Sequence, residues 1–290
     1  MKTLVPTLSA ALLAASSPLQ ASSLLLNFHT THGSDPGAVG GSYLDLSPGH
    51  ASGAVAASET TWNNFATTAA SSSLSYGDGS SATGVTVTFG SETSAGSGTI
   101  GFGAATINTA ALYGSGGGVG GFENLVSNAG SIYGDGNNTG NSAAGRAGWL
   151  GGASNTAIGL RVDGLTAGEY TVYVMGRNTN SNVAELPITL YAGSGALSST
   201  FGFSALTGSV ESNFGAATPN PAAYNSFIAG DNYVALNVTL GAGDSLFLAS
   251  DGTGTETRGF FNMVQIVAVP EPSGALLGGI GLLAFLRRRR

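Results

Sequence analysis

Glu169-Tyr170-Thr171-Val172-Tyr173-Val174-Met175-Gly176 is the stretch on which the fold turns. Its β-branched and aromatic side chains alternate with period two. Tyr170, Val172 and Val174 face one way, and Thr171, Tyr173 and Met175 the other. Just before it, Asp163-Gly164-Leu165-Thr166-Ala167-Gly168 has the composition of a tight turn. Working outward, similar apolar runs occupy residues 23–29, 84–89, 99–107, 156–162, 186–191, 199–203, 233–240, 244–249 and 259–269. Trp62 and Phe65 add candidate core anchors. Two joins, residues 163–168 and 241–243, are of hairpin length. No long amphipathic helix separates the runs, which argues against a parallel α/β sheet. The expectation is an all-β chain, an antiparallel two-sheet sandwich, most simply a jelly roll.

Composition narrows the function classes. The chain has 290 residues, 47 of them glycine, and no cysteine. It therefore has no disulfide framework and no thiolate metal site. The only lysine is Lys2, and outside the C-terminal end the only arginines are Arg146, Arg161, Arg177 and Arg258. Of the 16 acidic residues all but Glu271 lie between the two ends, leaving a body charge near −11. A nucleic-acid partner needs clustered Lys and Arg, so none is expected. A Schiff-base or P-loop lysine is absent from the body.

Both ends read as membrane-directed segments. Lys2, an apolar run over residues 4–15 and small residues up to Ala21 form a secretory signal peptide, with cleavage expected after Ala21. At the other end, Val269-Pro270-Glu271-Pro272 precedes an apolar run, residues 273–286, and then Arg287, Arg288, Arg289 and Arg290. As a helix that run is roughly 21 Å long, against a hydrocarbon core of about 30 Å. Four arginines keep the extreme C-terminus cytoplasmic and place the body on the opposite side. The expected domains are a signal peptide (1–21), a β body with glycine-rich loops (22–268) and a tail (269–290).

The tail resembles the PEP-CTERM sorting signal of Gram-negative bacteria, on the motif Pro270-Glu271-Pro272, the short apolar helix and the basic end. The resemblance implies an exosortase-type processing enzyme and the secretion translocon as partners. It also implies transient anchoring in the inner membrane, then delivery to the cell envelope or extracellular matrix. In the body, the pattern Gly-Leu-x-x-Gly-x-Tyr-x-Val-x-Val over residues 164–174 resembles strands of galactose-binding-like and carbohydrate-binding sandwiches. So does the closing run of residues 261–267.

Chemistry is sparsely marked. Gly116, Gly118 and Gly121 match G-x-G-x-x-G but have no strand–helix context, and are read as loop. His29, His32 and Asp35 are metal-type residues on a strand end and loop; they are read as solvated side chains. Asp251 and Glu256, in a Gly/Thr-rich stretch, are candidates for a structural calcium, the alternative being an ordinary Asp-Gly turn. No organic cofactor is expected. Trp149 and Tyr133 are candidate sugar-stacking rings, with Asn137 and Arg146 as hydrogen-bonding neighbours. Asn63 and Asn64 are further candidates for such bonds. No Gly-x-Ser-x-Gly elbow or triad spacing is present. The expected role is structural or adhesive rather than enzymatic. The alternatives are a carbohydrate-binding module, and a polysaccharide hydrolase or lyase using two facing carboxylates.

Overall fold

The structure, a computed structural model, describes residues 22–29, 38–66, 69, 71–103, 109–111, 141–145, 148–152, 156–176, 187–211, 226–252 and 257–270. Within them the chain is nearly all β. Helix is limited to a 3-10 turn at Gly41–Tyr43 and one α turn at Pro48–Ala51. The strands of the first half are β1 (Leu24–Phe28), β2 (Ala38–Val39), β3 (Asn63–Phe65), β4 (Thr86–Glu92), β5 (Thr99–Phe102), β6 (Thr109–Ala111), β7 (Asn141–Ser142) and β8 (Trp149–Gly151). Those of the second half are β9 (Ile158–Asp163), β10 (Gly168–Met175), β11 (Ile188–Ala196), β12 (Thr200–Gly202), β13 (Ser209–Glu211), β14 (Val234–Leu240), β15 (Asp244–Gly252), β16 (Phe260–Phe261) and β17 (Met263–Ala268).

Two large sheets dominate: five strands in the order β14-β10-β17-β1-β3, and seven in the order β12-β5-β4-β9-β15-β11-β13. Their inner faces share one core. Leu24, Leu26 and Phe28 of β1, Val172 and Val174 of β10, and Val264 and Ile266 of β17 come from the first sheet. Val87 and Phe89 of β4, Leu160 and Val162 of β9, and Leu246 and Leu248 of β15 come from the second. The arrangement is sandwich-like. Pairing is antiparallel except for β1 with β3 and β2 with β7, which run parallel.

The period-two reading of β10 holds on one face and is exceeded on the other. Tyr170, Val172 and Val174 enter the shared core. Tyr173 and Met175 enter a second cluster on the outer face of the five-stranded sheet, with Leu25, Val55, Trp62 and Met263. The segment from Val39 to Trp62 covers that face, which is why both sides of the strand are apolar.

The two short joins are not hairpins. Residues 163–168 carry the chain from β9 in one large sheet to β10 in the other, and residues 241–243 carry it from β14 to β15, again between sheets. Each flanking strand has an apolar stripe. A turn that crosses between layers lets the two stripes meet across the core instead of lying side by side. At the first crossing Gly164 has φ +81°, and a Cβ there would run into the Gly84 carbonyl oxygen. Residues 259–269, expected as one strand, are two: β16 joins a three-stranded sheet with β8 and β6, and after Asn262 the chain enters the five-stranded sheet as β17. The Asn262 amide donates to the Met175 carbonyl at 2.9 Å and its own carbonyl accepts the Phe28 amide at 3.1 Å, so the switch stays hydrogen-bonded.

Candidate functional site

Trp149 is a core residue. It is 3% exposed, with its ring 5.4 Å from Phe28 and 4.8 Å from Phe89. The indole N–H donates to the His29 carbonyl at 2.7 Å. A sugar-stacking platform needs an open ring face, and Trp149 presents none; the glycine-rich surroundings that made it look like a surface ring belong to the chain around it, not to its packing. Asn63 and Asn64 also have structural partners. Asn63 donates to the Leu25 and Ser75 carbonyls at 3.0 and 2.8 Å. The Asn64 side-chain oxygen accepts from Asn27 at 3.0 Å and from the Val39 amide at 3.1 Å. Tyr133, Asn137, Arg146, Glu256, Glu271, Pro272 and Arg287 to Arg290 lie outside the described residues, as do His32, Asp35 and the glycines at 116, 118 and 121. Among the described residues no group of three His, Cys, Asp or Glu could hold a metal, and no helix is long and apolar enough to cross a membrane.

Asp251, at the end of β15, has an unusual environment. Burial, and then the nearby Glu92 carboxylate, push its carboxyl up to about 6. Glu92 is itself buried and accepts the amides of Gly98 at 2.7 Å and Ala157 at 3.0 Å. Those two donors hold Glu92 as a structural acceptor. Among the described residues Asp251 has only Glu92 as a nearby carboxylate, and Glu256, its partner in the calcium reading, lies outside them.

The groups that converge most closely lie where the two ends of the body meet. β1 and β17 pair antiparallel with Leu24 opposite Ile266, so Ser22 and Ala268 reach the same end of the sheet. The Val269 amide continues the ladder by donating to the Glu169 carbonyl at 2.8 Å. Pro270, without an N–H, cannot extend it. Ser23 is buried, and both its amide (2.7 Å) and its hydroxyl donate to the Glu59 carboxylate, which is only 5% exposed. The Gly77 amide donates to the Ser23 carbonyl at 2.7 Å. The Ser22 hydroxyl donates to Asp78 Oδ2 at 2.6 Å, and Ser80 bonds Oδ1 through its amide (2.9 Å) and hydroxyl (2.6 Å). These bonds, Ser22's first, hold the Asp78 carboxyl below its ordinary range. Beside them lies a cavity of about 220 Å³ lined in part by Ser22, Tyr76, Ser80, Thr166 and Tyr170. Burial raises the Tyr76 hydroxyl's pKa.

On the other side of Glu59 sits a second polar group. His50 Nε2 is 2.9 Å from the Glu59 carbonyl, so it carries the proton and donates. Its Nδ1 is then the acceptor for the Ser47 hydroxyl at 2.6 Å. Gln265 of β17, fully buried, donates to Ser47 Oγ at 2.7 Å and accepts the Gly49 amide at 2.8 Å. Burial keeps the His50 imidazole below its ordinary value and therefore neutral. Ser47 is 1% exposed and shared between two partners, so this Ser–His pair is a structural clasp rather than a nucleophile. Sequence reading passed over Ser23, Glu59 and this clasp and took Asp78 only as a glycine-turn carboxylate, because the bonds that join these groups to distant strands, Ser23 to Glu59, Ser22 to Asp78 and Gln265 to Ser47, span 36, 56 and 218 residues.

No protein-family model matches this chain, and no curated protein matches it.

Proposed function

We propose that this chain is an exported protein of the Gram-negative envelope or extracellular matrix, with a structural or adhesive role. In this reading a signal peptide is removed after Ala21, and a PEP-CTERM-like tail anchors the body in the inner membrane until an exosortase-type enzyme processes it. The observation that carries the reading is the order of the tail: Val269-Pro270-Glu271-Pro272, an apolar run, then Arg287 to Arg290. The meeting of Ser22 and Ala268 at one end supports it, since two membrane-directed segments leaving adjacent strands can reach the same bilayer without crossing the body. The finer architecture is a jelly roll. It is supported by the chain's repeated passage between layers, from β9 to β10 and from β14 to β15.

The deciding experiment deletes residues 270–290 in the full chain and follows size and location by fractionation of an exosortase-containing bacterium. The intact chain is expected to lose mass and leave the inner membrane, and the deleted chain to lose its retention step. An unchanged size and destination would refute the reading. A carbohydrate-binding role is the second reading. It is favoured by the cavity at the same end, where the half-buried Tyr76 ring meets the hydroxyls of Ser80 and Thr166. Glycan-array binding with and without calcium tests it, and Tyr76→Ala should abolish any binding that is found.

A further inference from the structure

The carboxylates that hold the start of the body are bonded by neutral groups. Glu59 takes the Ser23 amide and hydroxyl; Asp78 takes the hydroxyls of Ser22 and Ser80 and the Ser80 amide. In the uncleaved chain the Ser22 nitrogen is a neutral amide with one N–H. Hydrolysis of the Ala21–Ser22 bond by a signal-peptidase-type enzyme consumes one water. It leaves a carboxylate on Ala21 and an amine on Ser22, which takes up a proton at neutral pH. Covalent geometry keeps that nitrogen within about 4 Å of both Ser22 Oγ and the Ser23 nitrogen. Those two atoms are the ones already bonded to Asp78 at 2.6 Å and Glu59 at 2.7 Å.

We propose that Glu59 and Asp78 form a receptor for the new α-ammonium group of Ser22, so that cleavage itself latches the N-terminal strand into the sheet. The inference rests on the export reading above, and deepens it by giving the cleaved end a binding site. The latch has a structural purpose. β1 lies between β17 and β3, so its first residues must be held if the five-stranded sheet is to keep its order once the leader has gone. A buried glutamate beside a chain terminus gains a counter-charge that the precursor lacks. Other titratable groups at this end include Tyr76 and Tyr170 on the cavity wall, Glu169 beside Tyr170 at the start of β10, and His50 behind the Glu59 peptide.

The composition makes the test clean. Lys2 is the only lysine, so once residues 1–21 are removed the chain has a single primary amine, at its N-terminus. The full chain is expressed with its own leader in an exporting host, and its first residue is read by mass spectrometry. The amine is then methylated with a ¹³C reagent and titrated by NMR. The expected result is a Ser22 start, with a titration midpoint above the ordinary α-amine range of about 7.7–8.0. Unmodified protein should react with an amine reagent at pH 7 about threefold more slowly than the Asp78→Asn variant, and the difference should shrink in high salt. Asp78 is exposed, so this variant keeps the fold; Glu59→Gln is the stronger change and is checked for folding by circular dichroism. A first residue other than Ser22 overturns the cleavage position and the receptor together. A Ser22 amine that titrates in the ordinary range, or that is indifferent to Asp78→Asn, overturns the receptor alone.

Discussion

Asp251 and His50 make opposite contributions to stability as pH changes. The Asp251 carboxyl is pushed up to about 6 in the folded chain by burial and by Glu92. The folded state therefore holds a proton that the unfolded state has already released, and stability from this group is lost as pH rises through about 6. Asp251→Asn cannot ionise. Its urea midpoint should gain on the wild type as pH rises from 3.8 to about 6, with the difference constant above that. His50 is shifted down, so the unfolded chain binds its proton first. Its contribution is complete above the ordinary value of 6.5 and is lost as pH falls below it. Protonation would place two donors, Ser47 Oγ–H and Nδ1–H, against each other. His50→Asn should flatten the acid-side slope, which the same titration reads. Gly164→Ala tests the β9–β10 crossing: a positive φ and the contact with Gly84 O together predict a loss of about 1–3 kcal/mol in denaturant unfolding.

At the scale of elements, the short strands carry more of the core than their length suggests. β3 and β8 have three residues each and β16 has two, yet Phe65, Trp149 and Phe261 from these strands surround Phe28. Trp149→Ala should cost about 3–5 kcal/mol of unfolding free energy, the range for removing a large buried aromatic. A solvent-facing stacking residue would give almost no change, so a denaturant titration separates the two placements. β10, β14 and β15 were legible because their alternation or continuous apolar character is strong. β3, β8 and β13 were not, since three residues show no period. Trp62 and Phe65 were recognised as core anchors but not as the edge of a strand parallel to β1, because that pairing depends on a partner 37 residues away.

The whole molecule closes through its ends. β17, next to last in the pairing path from β10 to β1, bonds both strands along its length, so the C-terminal strand is central while the chain enters beside it. Removing Leu24–Phe28 should therefore abolish the cooperative thermal transition rather than lower its midpoint. A chain lacking those residues that still melted sharply would show the sheet to be independent of β1. The same closure explains why the tail could be read as a separate module: the ladder ends at Val269, where Pro270 supplies no donor.

Sequence alone determined the all-β class, the lack of cysteine and the scarcity of lysine and arginine between the two ends, and it alone carries the proposal that both ends are membrane-directed. Each follows from composition or from local periodicity, which needs no knowledge of what lies nearby in space. Tertiary structure alone decided that the tight turns cross between sheets, that Trp149 is enclosed, and that Ser22, Ser23, Glu59 and Asp78 meet. Those outcomes are set by which apolar faces bury one another and which distant strands pair, and burial is a property of neighbours that the linear order does not contain.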